Sequence, residues 1–363
     1  MNYIDYVVPM VFPQDREWRK NFTAVGCSYS DHDRDSVRYR SWELEGLLIQ
    51  CVRKFMPWVR TIHIILAQKS QERYLEELEQ PLSCEALCAS FGEINLSPSQ
   101  ASPYSAMPPE GENLKHGTLK PETNGQSPRI HIVYHEDIMP KKFLPTFNSR
   151  AIEMYLHRIP GLSDYFIYGN DDMFPLSPLK ESDFFRPCDG IAGHMLPCQH
   201  MNEKPLPDKL NNFQQACLAG LNFVAEPFGH HYTNTLLRSG HTVAPICKSS
   251  CLALWERGAK EIEGSVTRFR LAQNFNQYIY AWYQHFTGQY IDHQPPHPMA
   301  GVKVGLQQTI DTIRQKDCGI VCINDHESCS NYRQWAVAVK REITLKLKNA
   351  IEPNIVPSSL EHY

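Results

Sequence analysis

The sequence predicts an α/β fold with a parallel sheet at its centre. Apolar runs of strand length recur at residues 4–8, 62–66, 130–134 and 165–169, and segments with helical spacing lie between them. The last run ends in Phe166-Ile-Tyr-Gly-Asn170-Asp171-Asp172, an apolar strand leading into two adjacent carboxylates. Strands alternating with helices favour a parallel sheet, and open sheets of this kind bind ligands beyond the carboxyl ends of their strands.

In chain order, residues 4–8 read as the first buried strand. Leu44 to Phe55 has helical spacing and is stopped by Pro57-Trp58, and residues 62–66 form the second strand. From 96 to 128 the chain is rich in Pro, Ser, Gly and Asn and nearly lacks aliphatics, which predicts a long flexible insert. After the strand at 130–134, Ile152, Tyr155, Leu156 and Ile159 recur at i, i+3, i+4 and i+7, the stripe of an amphipathic helix. Asn148 and Ser149 cap its start and Pro160-Gly161 ends it. Phe275, Tyr278, Ile279 and Trp282 repeat the helical spacing, and a final helix is expected over about residues 335–350.

Charge is nearly balanced, with Lys+Arg 36 against Asp+Glu 40 in 363 residues. That leaves no electrostatic footprint for nucleic acid and no basic tail for a membrane surface. The start, Met1 to Asp5, lacks a basic and then apolar leader, so no signal peptide is expected. No apolar stretch reaches the length of a membrane span, and the expected location is the cytoplasm. The 12 cysteines then read as mostly free, buried thiols. Cys84/Cys88, Cys247/Cys251 and Cys318/Cys322 share an x3 spacing that puts each pair on one face if helical, a weak zinc signal.

Two Asp side chains at a sheet edge repel each other unless a cation or a proton lies between them. Hard divalent ions take such oxygens, often together with a substrate's phosphates. Asp171 and Asp172 therefore suggest a metal-assisted enzyme with a phosphorylated substrate, against the alternative that Asn-Asp-Asp is a plain turn. Other polar clusters are weaker alone. The segment 143–153, with Asn148, offers either an anion site or ordinary capping. His241 and Lys248 flank Pro245; Arg268 and Arg270 precede Asn274 and Asn276 and suit phosphate oxygens or a surface pair. Cys322-Ile-Asn324-Asp325 again ends an apolar run with Asn-Asp.

Taken in order, these blocks resemble the Stealth family, the sugar-1-phosphate transferases of capsular and exopolysaccharide synthesis, which includes the catalytic core of animal N-acetylglucosamine-1-phosphotransferase. The resemblance runs through Ile4-Asp5-Tyr-Val-Val and Asp15-Arg-Glu-Trp18, Pro57-Trp58, 144–153, 157–162 and 166–174. It continues through His241, Pro245, Lys248 and Trp255, Arg268-Phe-Arg270 with Asn274 to Gln277, Cys322 to Asp325, and Pro357 to Glu361. It implies a single Stealth-type catalytic domain over 1–363 with a Rossmann-like, GT-A-like nucleotide-sugar core, added helical elements and the Pro/Ser-rich insert. The implied donor is a UDP-sugar such as UDP-N-acetylglucosamine, the acceptor an oligosaccharide or polysaccharide, and the leaving group UMP. Mg²⁺ or Mn²⁺ is the implied cofactor, held by Asp171, Asp172 and Asp325. His241 is implied as general base or transient nucleophile, and Arg270 as the group that stabilises phosphoryl charge. Asp5, at the end of the first strand, is implied to bind substrate with Asn148, Asn170, Lys248, Arg268, Asn274, Asn276 and Asn324. A place beside polymer-building machinery at the inner membrane follows from the resemblance alone. The neighbouring possibilities are a glycosyltransferase releasing UDP and a non-catalytic polysaccharide-binding homologue. The chain departs from the family at Met10, Val11 and Phe12, where Trp-Val-Asp or Trp-Val-Asn is usual, at Gln50 in place of Arg, and at Asn274 in place of an acid, which suggests a divergent donor or acceptor preference.

Overall fold

A computed structural model of the chain describes residues 3–28, 39–75, 127–326 and 328–349. The insert expected at 96–128 lies outside these residues except for its last two positions, as do Cys84, Cys88 and the tail from Pro357. The first half comprises β1 (Ile4–Pro9), α1 (Arg16–Gly26), α2 (Glu45–Phe55), β2 (Thr61–Leu66), β3 (Arg129–Tyr134), α3 (His135–Ile138), α4 (Ser149–Glu153), β4 (Tyr165–Tyr168) and β5 (Met173–Pro175). There follow β6 (Phe185–Pro187), β7 (Met195–Gln199), β8 (Asn202–Pro205), α5 (Asn212–Ala225), β9 (Thr235–Arg238), β10 (Ala244–Cys247), α6 (Lys248–Ser265) and α7 (Tyr278–Phe286). The chain then forms β11 (Ile291–Asp292), β12 (Met299–Gly301), α8 (Leu306–Arg314), β13 (Ile320–Asn324) and α9 (Tyr332–Asn349).

The main sheet has the order β10-β4-β1-β2-β3, with β1 to β4 parallel and β10 antiparallel to β4. β2 is buried at every position, and β1 at all but its last, which is why both read as unbroken apolar runs. The chain builds outward from β1 to β2 and β3, then returns to place β4 on the other side of β1. That reversal opens a crevice at the carboxyl ends of β1 and β4, where sheets of this type receive ligands. A smaller sheet, β12-β13-β5, is joined to the first by the turn that follows β4. Among the described residues, no helix is long and apolar enough to cross a membrane.

Two expectations are corrected. The helix expected through 149–159 is broken into the short α4 and a 3-10 turn at Leu156–Arg158. The Glu153 and Met154 carbonyls that would continue it accept instead from Tyr280 Oη, and Met154 also from Trp255 Nε1 at 2.8 Å. Its apolar stripe is still buried in the main core with Ile246, Ile279 and Trp282. Asn148 is the cap, and Ser149 is the first helical residue. The helical-face reading of the cysteine pairs also fails where it can be seen. Cys322 lies in β13 while Cys318 precedes it in a loop, and Cys247 ends β10 while Cys251 is in α6. The described cysteines are free thiols, and most are buried.

Candidate active site

β4 stops at Tyr168, and the carboxylate pair sits in the turn just beyond it, not on the strand's own last residues. Met173 N–H donates to the Asn170 carbonyl at 3.1 Å to close that turn, and Ile323 N–H of β13 donates to the Asp172 carbonyl at 2.8 Å. Gly169 is required at the exit, because a Cβ there would collide with the Tyr6 hydroxyl. The plain-turn reading and the carboxylate-site reading are thus both met: a turn delivers the acids to the sheet edge.

Two side chains, Cys322 and His241, meet Asp172. Cys322 Sγ lies 3.4 Å from its Oδ2, an arrangement made by the antiparallel pairing of Cys322 with Met173. His241 comes from the loop ahead of β10, whose Ala244 pairs with Tyr168 and so holds that loop at the same edge. One ligand atom from each of Asp172, His241 and Cys322 lies within 4.8 Å of the others. Asp172 Oδ1 is shut off from solvent without a hydrogen-bond partner, and so is the fully buried Tyr6 hydroxyl. An orphaned carboxylate oxygen among an imidazole and a thiol fits a divalent cation, and this mixed donor set suits a borderline ion better than the all-oxygen shell that Mg²⁺ favours.

The electrostatics match. Burial pushes the Asp171 carboxyl up to about 7, with Asp172 and Glu45 adding to the rise and Arg270 opposing it. Burial also raises Asp172, against the charge of His241, the Cys322 hydrogen bond and Arg270. Arg270 is anchored by an Nη2 bond to Ser149 Oγ at 2.6 Å. Behind the turn, the Tyr168 hydroxyl lies within hydrogen-bond reach of Glu153 Oε1 (3.1 Å) and Asn170 Oδ1 (3.0 Å), and Glu153 Oε2 accepts from Gln277 N–H at 2.8 Å. Asp171, Asp172, His241 and Arg270 therefore converge, with Asn170 in the same turn.

Residues 120–192, which carry this turn, match conserved region 2 of Stealth proteins. Over that region the chain is similar to Stealth proteins. It is 26% identical over 277 residues to the capsular polysaccharide phosphotransferase fcs1 of Haemophilus influenzae, covering 75% of this chain and 62% of that protein. It is 28% identical over 295 residues to cps1A of Actinobacillus pleuropneumoniae, covering 79% and 66%. With WcwK of Streptococcus pneumoniae it shares 25% over 364 residues, covering 92% of each. The chain thus spans slightly under two thirds of the length of the first two relatives.

Several residues that the Stealth resemblance marks lie elsewhere or face inward. Asp5 is the second residue of β1, not its end, and belongs to the opposite edge of the sheet. It is fully buried and bonded to Arg60 Nε (2.8 Å) and Nη2 (2.5 Å), His63 Nε2 (3.1 Å) and Ser163 N–H (2.8 Å). Burial raises its carboxyl, but the His63 and Arg60 bonds outweigh this and bring it down to about 2. Lys248 follows Cys247, which pairs with Tyr165, so it too sits at that far edge, with Nζ 3.5 Å from the Leu162 carbonyl. Asp325 is held by Arg40 through Nε and Nη2 at 2.5 Å each and by Trp42 Nε1 at 2.9 Å, so its oxygens are engaged in those bonds, and it is not in the Asp172–His241–Cys322 group.

Asn148, Asn274 and Asn276 are buried. Asn148 Nδ2 donates to the Thr267 and Phe269 carbonyls and to Asn274 Oδ1, while its Oδ1 caps α4. Asn274 Nδ2 donates to the Ser265 carbonyl and Thr267 Oγ1, and its Oδ1 accepts from Leu271 N–H. Together they fix the loop that carries Arg270. Asn276 Nδ2 contacts Cys217 Sγ, and its Oδ1 accepts from Tyr278 N–H. Arg268 is directed to the Lys142 carbonyl at 3.5 Å, and Asn324 is an exposed strand end. The sequence reading missed Tyr6, Glu45, Tyr168 and Glu153. Cys322 was marked there only by its x3 spacing from Cys318, a weak zinc signal, and by its place in Cys322-Ile-Asn324-Asp325.

Proposed function

We propose that this protein transfers a sugar-1-phosphate from a UDP-sugar, such as UDP-N-acetylglucosamine, to a hydroxyl of a glycan or capsular-type polysaccharide, releasing UMP. The observation that carries this reading is the convergence of Asp171, Asp172, His241 and Arg270 at the carboxyl edge of the parallel sheet. The names of the relatives as capsular polysaccharide phosphotransferases support it. The parallel order β3-β2-β1-β4 supports a Rossmann-like, GT-A-like core for the nucleotide sugar.

In this reading the acceptor oxygen forms a bond to the phosphorus next to the donor sugar, and the bond from that phosphorus to the oxygen of UMP breaks. His241 takes the acceptor's proton as general base. Arg270 faces the charge that develops on the phosphoryl oxygens. Asp171 and Asp172 would hold a divalent ion, Mg²⁺ or Mn²⁺, which when bound would neutralise charge on the diphosphate. The rest is positioning, the main demand of phosphoryl-type transfer.

The test is product analysis with UDP-N-acetylglucosamine and related UDP-sugars, divalent metal and an oligosaccharide panel. UMP formed only with metal and acceptor is expected; UDP in its place would make the protein a glycosyltransferase. Asp171→Ala and His241→Ala should each slow UMP release by roughly a hundredfold or more.

A further inference from the structure

We infer that Cys322 is a thiolate ligand of the metal centre, completing an Asp172–His241–Cys322 set that selects a borderline divalent ion of the Co²⁺ or Zn²⁺ class over Mg²⁺. This rests on reading the site as metal-assisted, and it goes beyond the carboxylate ligation proposed above.

Geometry is the first support. Ligand atoms around one tetrahedral ion with bonds of about 2.0–2.3 Å lie roughly 3.3–3.8 Å apart. The carboxylate, imidazole and thiol atoms here lie within 4.8 Å of one another, so a small closing movement would bring all three onto one centre. The second support is independent of that spacing. Asp172 Oδ1 and the Tyr6 hydroxyl are both buried without hydrogen-bond partners. The Asp172 charge also acts on the Tyr6 hydroxyl. Buried polar atoms left unmatched are costly, and Asp172 Oδ1 belongs to one of the three donor residues.

Chemistry supplies the selectivity. A thiolate is a soft ligand that Mg²⁺ does not favour, while Co²⁺ and Zn²⁺ accept mixed sulfur, nitrogen and oxygen shells. Cys322 is buried at the inner end of the site on a strand tied to the Asp172 turn by backbone hydrogen bonding, so its sulfur is held in place. The competing role for this side chain is a thiol that only donates to Asp172 Oδ2.

The test is a Co²⁺ titration of the metal-stripped full chain without nucleotide sugar, followed by optical and X-ray absorption. A thiolate-to-cobalt charge-transfer band and one sulfur scatterer at about 2.3 Å are expected in the wild type. Cys322→Ser should lose both and weaken Co²⁺ at least about tenfold, with Mg²⁺ affinity changed far less. Cys318→Ser and Cys329→Ser should keep the band. Bound Co²⁺ with no sulfur in its shell overturns the inference on the wild type alone, whether or not the variant folds. A band that survives Cys322→Ser, or Mg²⁺ binding as tightly as Co²⁺, overturns it equally. Because no UDP-sugar is present, the result is independent of which nucleotide the transfer reaction releases. UMP formation on a sulfur-free Mg²⁺ centre would sink this inference and leave the proposed reaction standing.

Discussion

Asp171 and Asp5 are two buried carboxyls shifted in opposite directions, and each makes a distinct pH prediction. Asp171 is raised to about 7 by burial and by its acidic neighbours Asp172 and Glu45. A raised carboxyl favours the fold fully below its unfolded value near 4, and that contribution is lost as pH rises through about 7. Asp171→Asn should therefore stabilise the metal-free protein near pH 8 by on the order of 2–4 kcal/mol and do little near pH 4, while abolishing metal-dependent transfer. Urea unfolding at the two pH values checks it; an equal loss of stability at both would contradict the burial account. Asp5 is lowered to about 2 against burial, by His63 and Arg60. Its contribution is present above about 4 and is lost as pH falls through about 2. Asp5→Asn should cost about 2 kcal/mol at neutral pH, with the difference from wild type closing towards pH 2. Because Asp5 lies at the far edge of the sheet, this cost should appear in stability with little change in metal affinity.

The loop from Ser265 to Asn274 shows how an element can be specified by its own side chains. Asn148 and Asn274 satisfy its backbone from inside, and Arg270 projects from it towards the carboxylates. The departure from an acidic residue at Asn274 then has a physical account. Its Nδ2 donates to the Ser265 carbonyl and to Thr267 Oγ1, and the Thr267 hydroxyl itself donates to the Phe269 carbonyl. Asn274→Asp would set a carboxylate oxygen against the Ser265 carbonyl, and should lower stability by about 2 kcal/mol and slow transfer as Arg270 loosens. A variant that melts at or above the wild-type temperature would show that the loop accepts the charge. The same scale explains what the sequence could reveal. β1 to β4 were legible to within a residue or so at each end; for β1, β2 and β4 the reason is that parallel strands buried on both faces are continuous apolar runs, while the edge strand β3 is only partly buried. The helix through 149–159 was misread because its apolar stripe is real, while Tyr280 and Trp255 take the carbonyls that would have extended it. β5 and β12 have three residues each, too short for any period to register.

Across the whole molecule, the site depends on contacts between segments far apart in the chain, and this limits what could be read in advance. Asp171, Asp172, His241 and Arg270 stood out through local wording. Tyr6 and Glu45 have no such wording, Cys322 had only a weak one, and all three join the site only because β1, α2 and β13 are brought to the same turn. A long-range tie of the same kind is Arg40 to Asp325. Arg40 grips both carboxylate oxygens, donates to the Cys329 and His326 carbonyls, and lies over the Tyr332 ring at 4.4 Å. It thereby joins the segment before α2 to the end of β13, three residues beyond Cys322. A half-buried bidentate pair is strong when both partners stay, and removing one strands the other. Arg40→Ala should therefore cost about 2–3 kcal/mol and raise amide exchange over residues 320–326. Asp325→Asn should cost less, and the double variant should cost less than the sum of the two, with a coupling of about 1 kcal/mol or more in a double-mutant cycle. Additive losses would mean that the two side chains act separately. If the tie also holds Cys322 in register with Asp172, Arg40→Ala should weaken Co²⁺ binding although Arg40 touches none of the three metal donors. Unchanged Co²⁺ affinity in a folded Arg40→Ala protein would place the control of that register in β5 and the Asp172 turn instead.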